Sequence, residues 1–337
     1  IWIRAATYGQ TYRVNINTIE VTFQTAVAPV VVDSTATGGV VENRISSEEI
    51  AAGIVTAFGS SSLSGVTFAR SGAVIHVTSS SAITIAVTDA RSGADISAIF
   101  DKVQAFTELP SVAPNNYQVT IEGDPTNSFD DYHVSFTPKS LNSSNPGDTF
   151  AEGTWGETVK PGENYKINEA TMPHVLVRKP DNKFYFGPAN GSIHTGGTSP
   201  NNWTLKIDKW GERIAGDTTT TPNPSFIDNP INDIFIYKNR LGFLADENVI
   251  LSRVRSFFEF FPETVTAVLD TDPIDVIASN NRVSVLKYAV PYQDELILFS
   301  SQYQFRFNAA ETVLTPCLLY TSPSPRDQRG SRMPAWA

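Results

Sequence analysis

The pattern of apolar and polar positions along this chain is dominated by strand signals, among them the two-residue period of half-buried strands. Tyr117–Glu122 and Tyr132–Thr137 show the alternation directly. Gly65–Ala69, Val74–Thr78 and Ile83–Thr88 are β-branched runs separated by Ser/Gly turns, and Arg13–Ile19 and Glu20–Gln24 also read as extended. The helical period appears twice. Ser46 followed by Glu49 forms a capping box, and Ile50, Ile54, Val55 and Phe58 make the apolar stripe behind it. Ile96, Ile99, Phe100 and Val103 place a second expected helix over Ile96–Phe106. Two helices among short strands predict a small α+β unit over about residues 29–110.

Residues 138–153, 187–202 and 215–232 are rich in Pro, Ser, Asn, Thr and Gly and read as connectors. They bracket strands predicted at Val175–Arg178, Lys183–Phe186 and Trp203–Ile207. Beyond residue 232 a strand–turn–strand rhythm sets in: Ile234–Asn239, Leu241–Ala245 and Val249–Arg253, then Arg282–Tyr288, Glu295–Ser300 and Tyr303–Phe307. Phe243 and Phe299 hold similar hairpin positions 56 residues apart, near the period of some propeller blades. Two unrelated hairpins give the same spacing. The expected fold class is mainly β, multi-domain, with one small α+β unit.

At 337 residues the chain is long enough for two or more domains and for a core without staples. Charged residues make up 18% and apolar residues 41%, which is not a disordered composition. No run approaches the apolar length of a membrane span. The chain opens at Ile1 without the charged and apolar succession of a secretory signal. The last stretch, residues 317–337, breaks from the preceding pattern and reads as non-native or disordered. It holds the single cysteine, Cys317, so no disulfide or Cys-based zinc framework is expected. Without its three arginines and one aspartate, the net charge moves from −10 to −12. An acidic balance of that size argues against a general nucleic-acid-binding surface but not against DNA passing by.

The search for chemistry finds little. His76, His133, His174 and His194 show no metal-ligand spacing, and the phosphate-loop, dinucleotide and serine-elbow motifs are missing. Three acids in the run Asp270-Thr271-Asp272-Pro273-Ile274-Asp275 invite a Ca²⁺ reading, but Pro273 and the lack of an EF-hand glycine favour a turn whose carboxylates cap backbone N–H groups. Glu157 beside Trp155 and Glu212 beside Trp210 are the candidates for a glycosidase pair, with packing and solvated faces as the plainer account. Asn239-Arg240 and Ser252-Arg253 end neighbouring predicted strands. Arginines set among apolar runs need partners, and inter-strand or inter-subunit ion pairs with Asp246, Glu247, Asp270, Asp272 or Asp275 are expected. No catalytic residue, metal or cofactor emerges.

One ordered series of motifs is more specific. The run PSFIDNPINDIFIYKNRLGFLADENVILSRVRSFFEFF (224–261) resembles the tail nozzle proteins, or tail tubular protein B, of short-tailed, podovirus-type bacteriophages. The similarity continues through Thr264, DTDPIDV (270–276), residues 283–307 and Leu314-Thr315-Pro316. Upstream it takes in Trp155-Gly156-Glu157-Thr158, Thr171-Met172-Pro173-His174, Leu176-Val177-Arg178, Trp210, Arg213 and Gly216-Asp217. Near the start, Arg4–Tyr12 fits a repeated tyrosine–glycine–tyrosine strand. The similarity is weakest over residues 29–110.

The resemblance implies a structural subunit of a virion tail, made in the host bacterial cytoplasm, with no catalytic centre. It implies an internal fragment of a longer protein and a homohexameric ring forming a channel for DNA ejection. Implied partners are the tail adaptor ring (tail tubular protein A), tail fibres, and double-stranded DNA in transit without specific binding. The implied organisation is a platform-like region at 1–28, an insert at 29–110, a β-rich domain at 111–232 and a partial β-propeller at 233–316. The alternative from a different class is a tail-associated carbohydrate-binding or polysaccharide-degrading protein.

Overall fold

The computed structural model describes residues 1–33, 40–42, 44–123, 131–278, 284–293 and 295–308. The stretch 317–337 and Leu314–Pro316 lie outside the described residues, as does the start of the strand expected at Arg282–Tyr288. The architecture is mainly β and multi-domain, and the chain divides into two compact units, Ile1–Thr158 and Val159–Ala337. Among the described residues no helix is long and apolar enough to cross a membrane.

Among the described residues the first unit has four sheets and one α-helix, the smallest sheet pairing Val30–Asp33 with Val40–Glu42. A four-stranded sheet runs in the order Val66–Ser71, Val74–Ser79, Trp2–Ile3, Ile96–Ser97. A three-stranded sheet joins Ile19–Gln24, Thr11–Ile16 and Ile85–Thr88. The helix Ser47–Gly59 starts as the capping box requires: the Ser46 hydroxyl accepts the Glu49 N–H at 3.1 Å. Its stripe of Ile50, Ala51, Ile54 and Phe58 packs with Ile3, Tyr12, Val14, Ile16 and Ile75 in one core. Gly53 is a poor helix former, but a Cβ there would come within 2.2 Å of the Phe23 ring, so glycine sets how closely helix and strand approach.

The hydrogen bonds cross the positions expected for domain boundaries. Trp2 pairs with Val74 and with Ser97, and Arg13 pairs with Thr88, so residues 1–28 share sheets with residues 66–97. Lys102–Val103 pairs in parallel with Thr120–Ile121, across residue 110.

The helix expected over Ile96–Phe106 is corrected. Ile96 belongs to a strand paired with Ile3, and Val103 to a strand paired with Ile121. Phe100, assigned to the buried stripe, is 44% exposed. Pairing on both flanks outweighs a local helical period. Lys102–Val103 opens a five-stranded sheet that continues through Gln118–Ile121, Tyr132–Pro138, Phe150–Thr158 and Val112–Pro114.

In the second unit, two short hairpins, Val175–Arg178 with Phe184–Gly187 and Ile193–Gly196 with Trp203–Lys206, precede two antiparallel meanders. The first meander orders Ile231–Tyr237, Arg240–Ala245, Asn248–Leu251 and Ile274–Ile277. The second orders Leu286–Tyr292, Glu295–Ser300 and Gln304–Asn308. Phe243 and Phe299 each lie in the second strand of a meander. Phe235, Leu244, Leu251, Ile274, Leu286, Leu298 and Phe307 form one core between the meanders.

Candidate functional site

The family-like motifs of the second unit converge on buried arginines. Lys238 and Asn239 both take positive φ (45° and 59°), the two-residue turn that matches hairpin twist and lets Tyr237 pair with Arg240. That turn starts the strand at Arg240, whose side chain is buried among three chain segments. Nη1 donates to the carbonyls of Ser252 at 2.8 Å and Asp272 at 2.5 Å, and Nη2 donates to the carbonyl of Asp270 at 2.8 Å. Burial pulls the Arg240 pKa down from its ordinary value, and the nearby Asp272 charge pushes it back up. Ser252 completes the junction: its hydroxyl accepts the Leu241 N–H at 3.0 Å and donates to the Arg253 carbonyl at 3.1 Å.

The acidic turn serves as scaffold. Asp272 is buried, and its Oδ2 accepts the Leu269 N–H at 2.7 Å. Asp275 accepts the Ser225 N–H at 2.7 Å and the Asn248 side-chain amide at 2.9 Å, fastening the loop before the first meander to the fourth strand. Asp270 contributes its carbonyl to Arg240. Among the described residues no group of three or more His, Cys, Asp or Glu side chains is placed to hold a metal.

Of the acids expected beside the arginines, Asp272 lies near enough for its charge to act on Arg240, and the direct hydrogen bonds add other partners. Arg240 takes main-chain carbonyls of the acidic turn, while Arg253 pairs with Glu263, an acid outside the expected set. The reason is geometric. The guanidinium enters where a strand end and a turn leave carbonyls without ladder partners, and buried carbonyls need donors as much as an arginine needs acceptors.

A second clamp surrounds Arg213, a residue the resemblance includes but charge-pair reasoning passes over. Its Nε donates to the Thr221 carbonyl at 2.9 Å, Nη1 to the Asn164 carbonyl and Nη2 to the Asn223 Oδ1 at 2.9 Å. The guanidinium also lies 5.2 Å from the centre of the Phe261 ring. Beside it Asp217 organises the loop. Burial alone would raise its pKa, but the N–H groups of Thr220 and Thr219, the Thr220 hydroxyl and Lys160 hold it down at about 2. Gly216 allows the close approach: φ is 74°, and a Cβ would meet Thr220 and Val265 within 2.7 Å.

Between these clamps lies an aromatic cluster. Trp210 packs within 6.5 Å of Phe226, Phe243, Phe258 and Phe260, ring centre to ring centre. Met172 joins this core, and the neighbouring Thr171-Met172-Pro173-His174 segment lines a shallow cavity with Phe186 and Phe226. The Thr171 hydroxyl donates to the Asn168 carbonyl at 2.9 Å. His174 sits 3.2 Å from the Met172 carbonyl and 5.7 Å from the exposed Phe186 ring. Arg178 donates to Asn182 within its own hairpin.

Trp155 and Glu157 belong to the first unit, on strand Phe150–Thr158. The Trp155 indole N–H donates to the Pro110 carbonyl at 2.8 Å, and the ring meets Phe136 edge-on at 5.1 Å. Glu157 lies opposite Val134 in the ladder. Glu212, the other acid considered with it, is in the second unit and pairs with Lys166 and Lys209. The charged side chains of the motif series thus hold loops, turns and strand ends in place, and the chemistry is that of a scaffold.

Comparison with known proteins adds two findings. A family profile described as bacteriophage nozzle protein matches residues 1–320. The tail tubular protein gp12 of Escherichia phage T7 is 37% identical over 242 residues, which is 71% of this chain and 27% of that protein. The chain therefore spans about a quarter of the length of that relative.

Proposed function

Because the chain belongs to the bacteriophage nozzle protein family, we propose that it is a structural subunit of a phage tail nozzle, forming part of the channel for DNA ejection. The observation that carries this reading is the family match across residues 1–320. The relative's description as a tail tubular protein supports the place in the virion tail, and synthesis in the host bacterial cytoplasm is part of the same proposal. The site supports a non-enzymatic role, since Arg213, Arg240, Asp217 and Asp275 are engaged with backbone and side chains that fix the fold.

In this reading the subunits form a closed homohexameric ring through head-to-tail contacts. The ring meets the adaptor ring on one side and tail fibres around it. The consecutive meanders from Ile231 to Asn308 begin a β-propeller-like domain. Double-stranded DNA passes without specific binding. An acidic wall repels phosphate, whereas a basic wall holds it by releasing counterions. The net charge of −10 supplies the acidic side chains.

Labelling virions with antibodies against residues 1–308 tests the assignment. Label at the tail, beneath the capsid, is expected. Label on the capsid shell, or robust turnover of host capsular polysaccharide by the purified chain, would overturn it.

A further inference from the structure

The second unit holds a cavity of about 670 Å³ that the nozzle assignment does not use. Part of its lining is apolar: Met172 and Phe226 are buried in the aromatic core and show one side to the cavity. The rest is polar. Thr171, His174, Asp228 and Asn229 stand exposed around it, and the Phe186 ring, 73% exposed, adds an open aromatic wall.

Both loops that carry the polar residues are fixed by their own hydrogen bonds. The Thr171 N–H and hydroxyl both donate to the Asn168 carbonyl, at 3.0 and 2.9 Å. On the other loop the Ile227 N–H donates to the Pro224 carbonyl at 2.9 Å, and Asp228 takes the left-handed conformation, with a φ of 62°. The Asp275 carboxylate accepts the Ser225 N–H and ties this loop to the first meander. Fixed loops spare a ligand the cost of ordering its site.

The bonds already made decide what the polar residues have left to offer. Nδ1 of His174 faces the Met172 carbonyl at 3.2 Å, so it carries the proton, and the neutral ring keeps Nε2 as an acceptor. Asn229 donates through Nδ2 to the Ser225 carbonyl at 2.8 Å, which leaves Oδ1. The Thr171 hydroxyl has given its proton to Asn168 and retains its lone pairs. Asp228 adds a carboxylate that accepts no hydrogen bond among the described residues. The cavity is therefore rich in acceptors and poor in donors, beside an apolar floor and one exposed aromatic ring.

We propose that this cavity binds a neutral saccharide, with a pyranose ring against Phe186 and its hydroxyls donating to Asp228, Asn229, His174 and Thr171. Three features select a sugar. A pyranose carries O–H donors on most of its ring carbons, as the acceptors require, and a carboxylate holds two neighbouring hydroxyls by strong charge-assisted bonds. It also has an apolar C–H face, which suits the negative face of an aromatic ring. Asp228 turns away phosphates and acidic sugars, because like charges brought together are costly. Asp228 is the one carboxyl among the described residues that line the cavity, and glycoside hydrolysis works with two. The site holds a glycan without cleaving it.

Saturation-transfer NMR titration of the purified chain with maltotriose, cellotriose and mannotriose tests this. At least one should bind with a Kd of about 0.1–10 mM, in the range of a shallow site. Phe186→Ala and Asp228→Asn should each weaken that binding about fivefold or more. Asparagine keeps the left-handed conformation that position 228 requires. Phe184→Ala removes another exposed ring of the same strand, outside the cavity, and should leave binding unchanged. Trp210 fluorescence reports that each variant is folded. Binding of none of the three sugars at about 10 mM would overturn the proposal. So would binding that survives both cavity substitutions, binding lost equally in Phe184→Ala, or competition for the site by inorganic phosphate.

Discussion

Arg240 donates to the carbonyl oxygen of Ser252 at 2.8 Å, deep inside the second unit. The same guanidinium reaches the carbonyls of Asp270 and Asp272. One side chain thereby ties the second strand of the first meander to the end of the third and to the turn before the fourth. Replacing it leaves several buried carbonyls without a donor. Arg240→Met should cost about 3 kcal/mol or more, read by urea denaturation followed through Trp210 fluorescence. Arg240→Lys should restore less than half, because an ammonium cannot span the carbonyls that the planar fork reaches.

Asp217 gives a pH signature. Its folded pKa, about 2, lies below its ordinary value of 3.8. A depressed carboxylate stabilises the fold above the unfolded pKa and loses that contribution as pH falls through the folded one. Asp217→Asn should therefore be less stable than the parent above pH ~4, by on the order of 2 kcal/mol, with the gap closing toward pH ~2. Denaturation at stepped pH measures it, and a gap that is constant with pH would count against the account.

Asp272 separates scaffold from metal site. Its carboxylate is buried and accepts the Leu269 N–H. Asp272→Ala should lower Tm by several degrees, equally with and without calcium, since loss of a buried turn partner costs about 1–3 kcal/mol. A calcium-dependent difference would show that the turn binds the ion.

The aromatic cluster should respond to lost volume. Phe243 is buried and packs against Trp210, Phe226 and Phe260. Phe243→Ala should cost about 3–5 kcal/mol. Gly242→Ala tests the opposite error. A Cβ there would come within 2.3 Å of the Phe235 ring, and overpacking of that kind costs about 1–3 kcal/mol.

What the sequence revealed follows from where each signal resides. The helix Ser47–Gly59 was legible because the Ser46 cap and the Ile50–Phe58 stripe are local. Val175–Arg178 and Glu295–Ser300 were legible because they are short apolar runs set between polar, turn-forming residues. The strand Phe150–Thr158 was half hidden in an expected connector. Gly153 reads as a loop residue, yet it serves a close approach: a Cβ would lie 2.2 Å from the Thr137 carbonyl. The strand Ile193–Gly196 was hidden for the same reason, with Gly196 beneath the Trp203 ring. Arg240 was legible as a buried charge needing partners, but not as a carbonyl binder, and Arg213 was legible only through the resemblance. Asn164 and Thr221 hold Arg213 through main-chain oxygens, which leave no trace in side-chain identity. The family, by contrast, was legible from the ordered motifs, because many scaffold positions together carry more information than any one of them.

The most direct test of the central claim is cryo-electron microscopy of the virion tail at side-chain resolution. The account predicts density for residues 1–308 in a closed ring around the DNA channel, with acidic side chains toward the lumen. A ring with a neutral or basic lumen would contradict the electrostatic account of DNA passage, and absence of the chain from the tail tube would contradict the nozzle assignment itself.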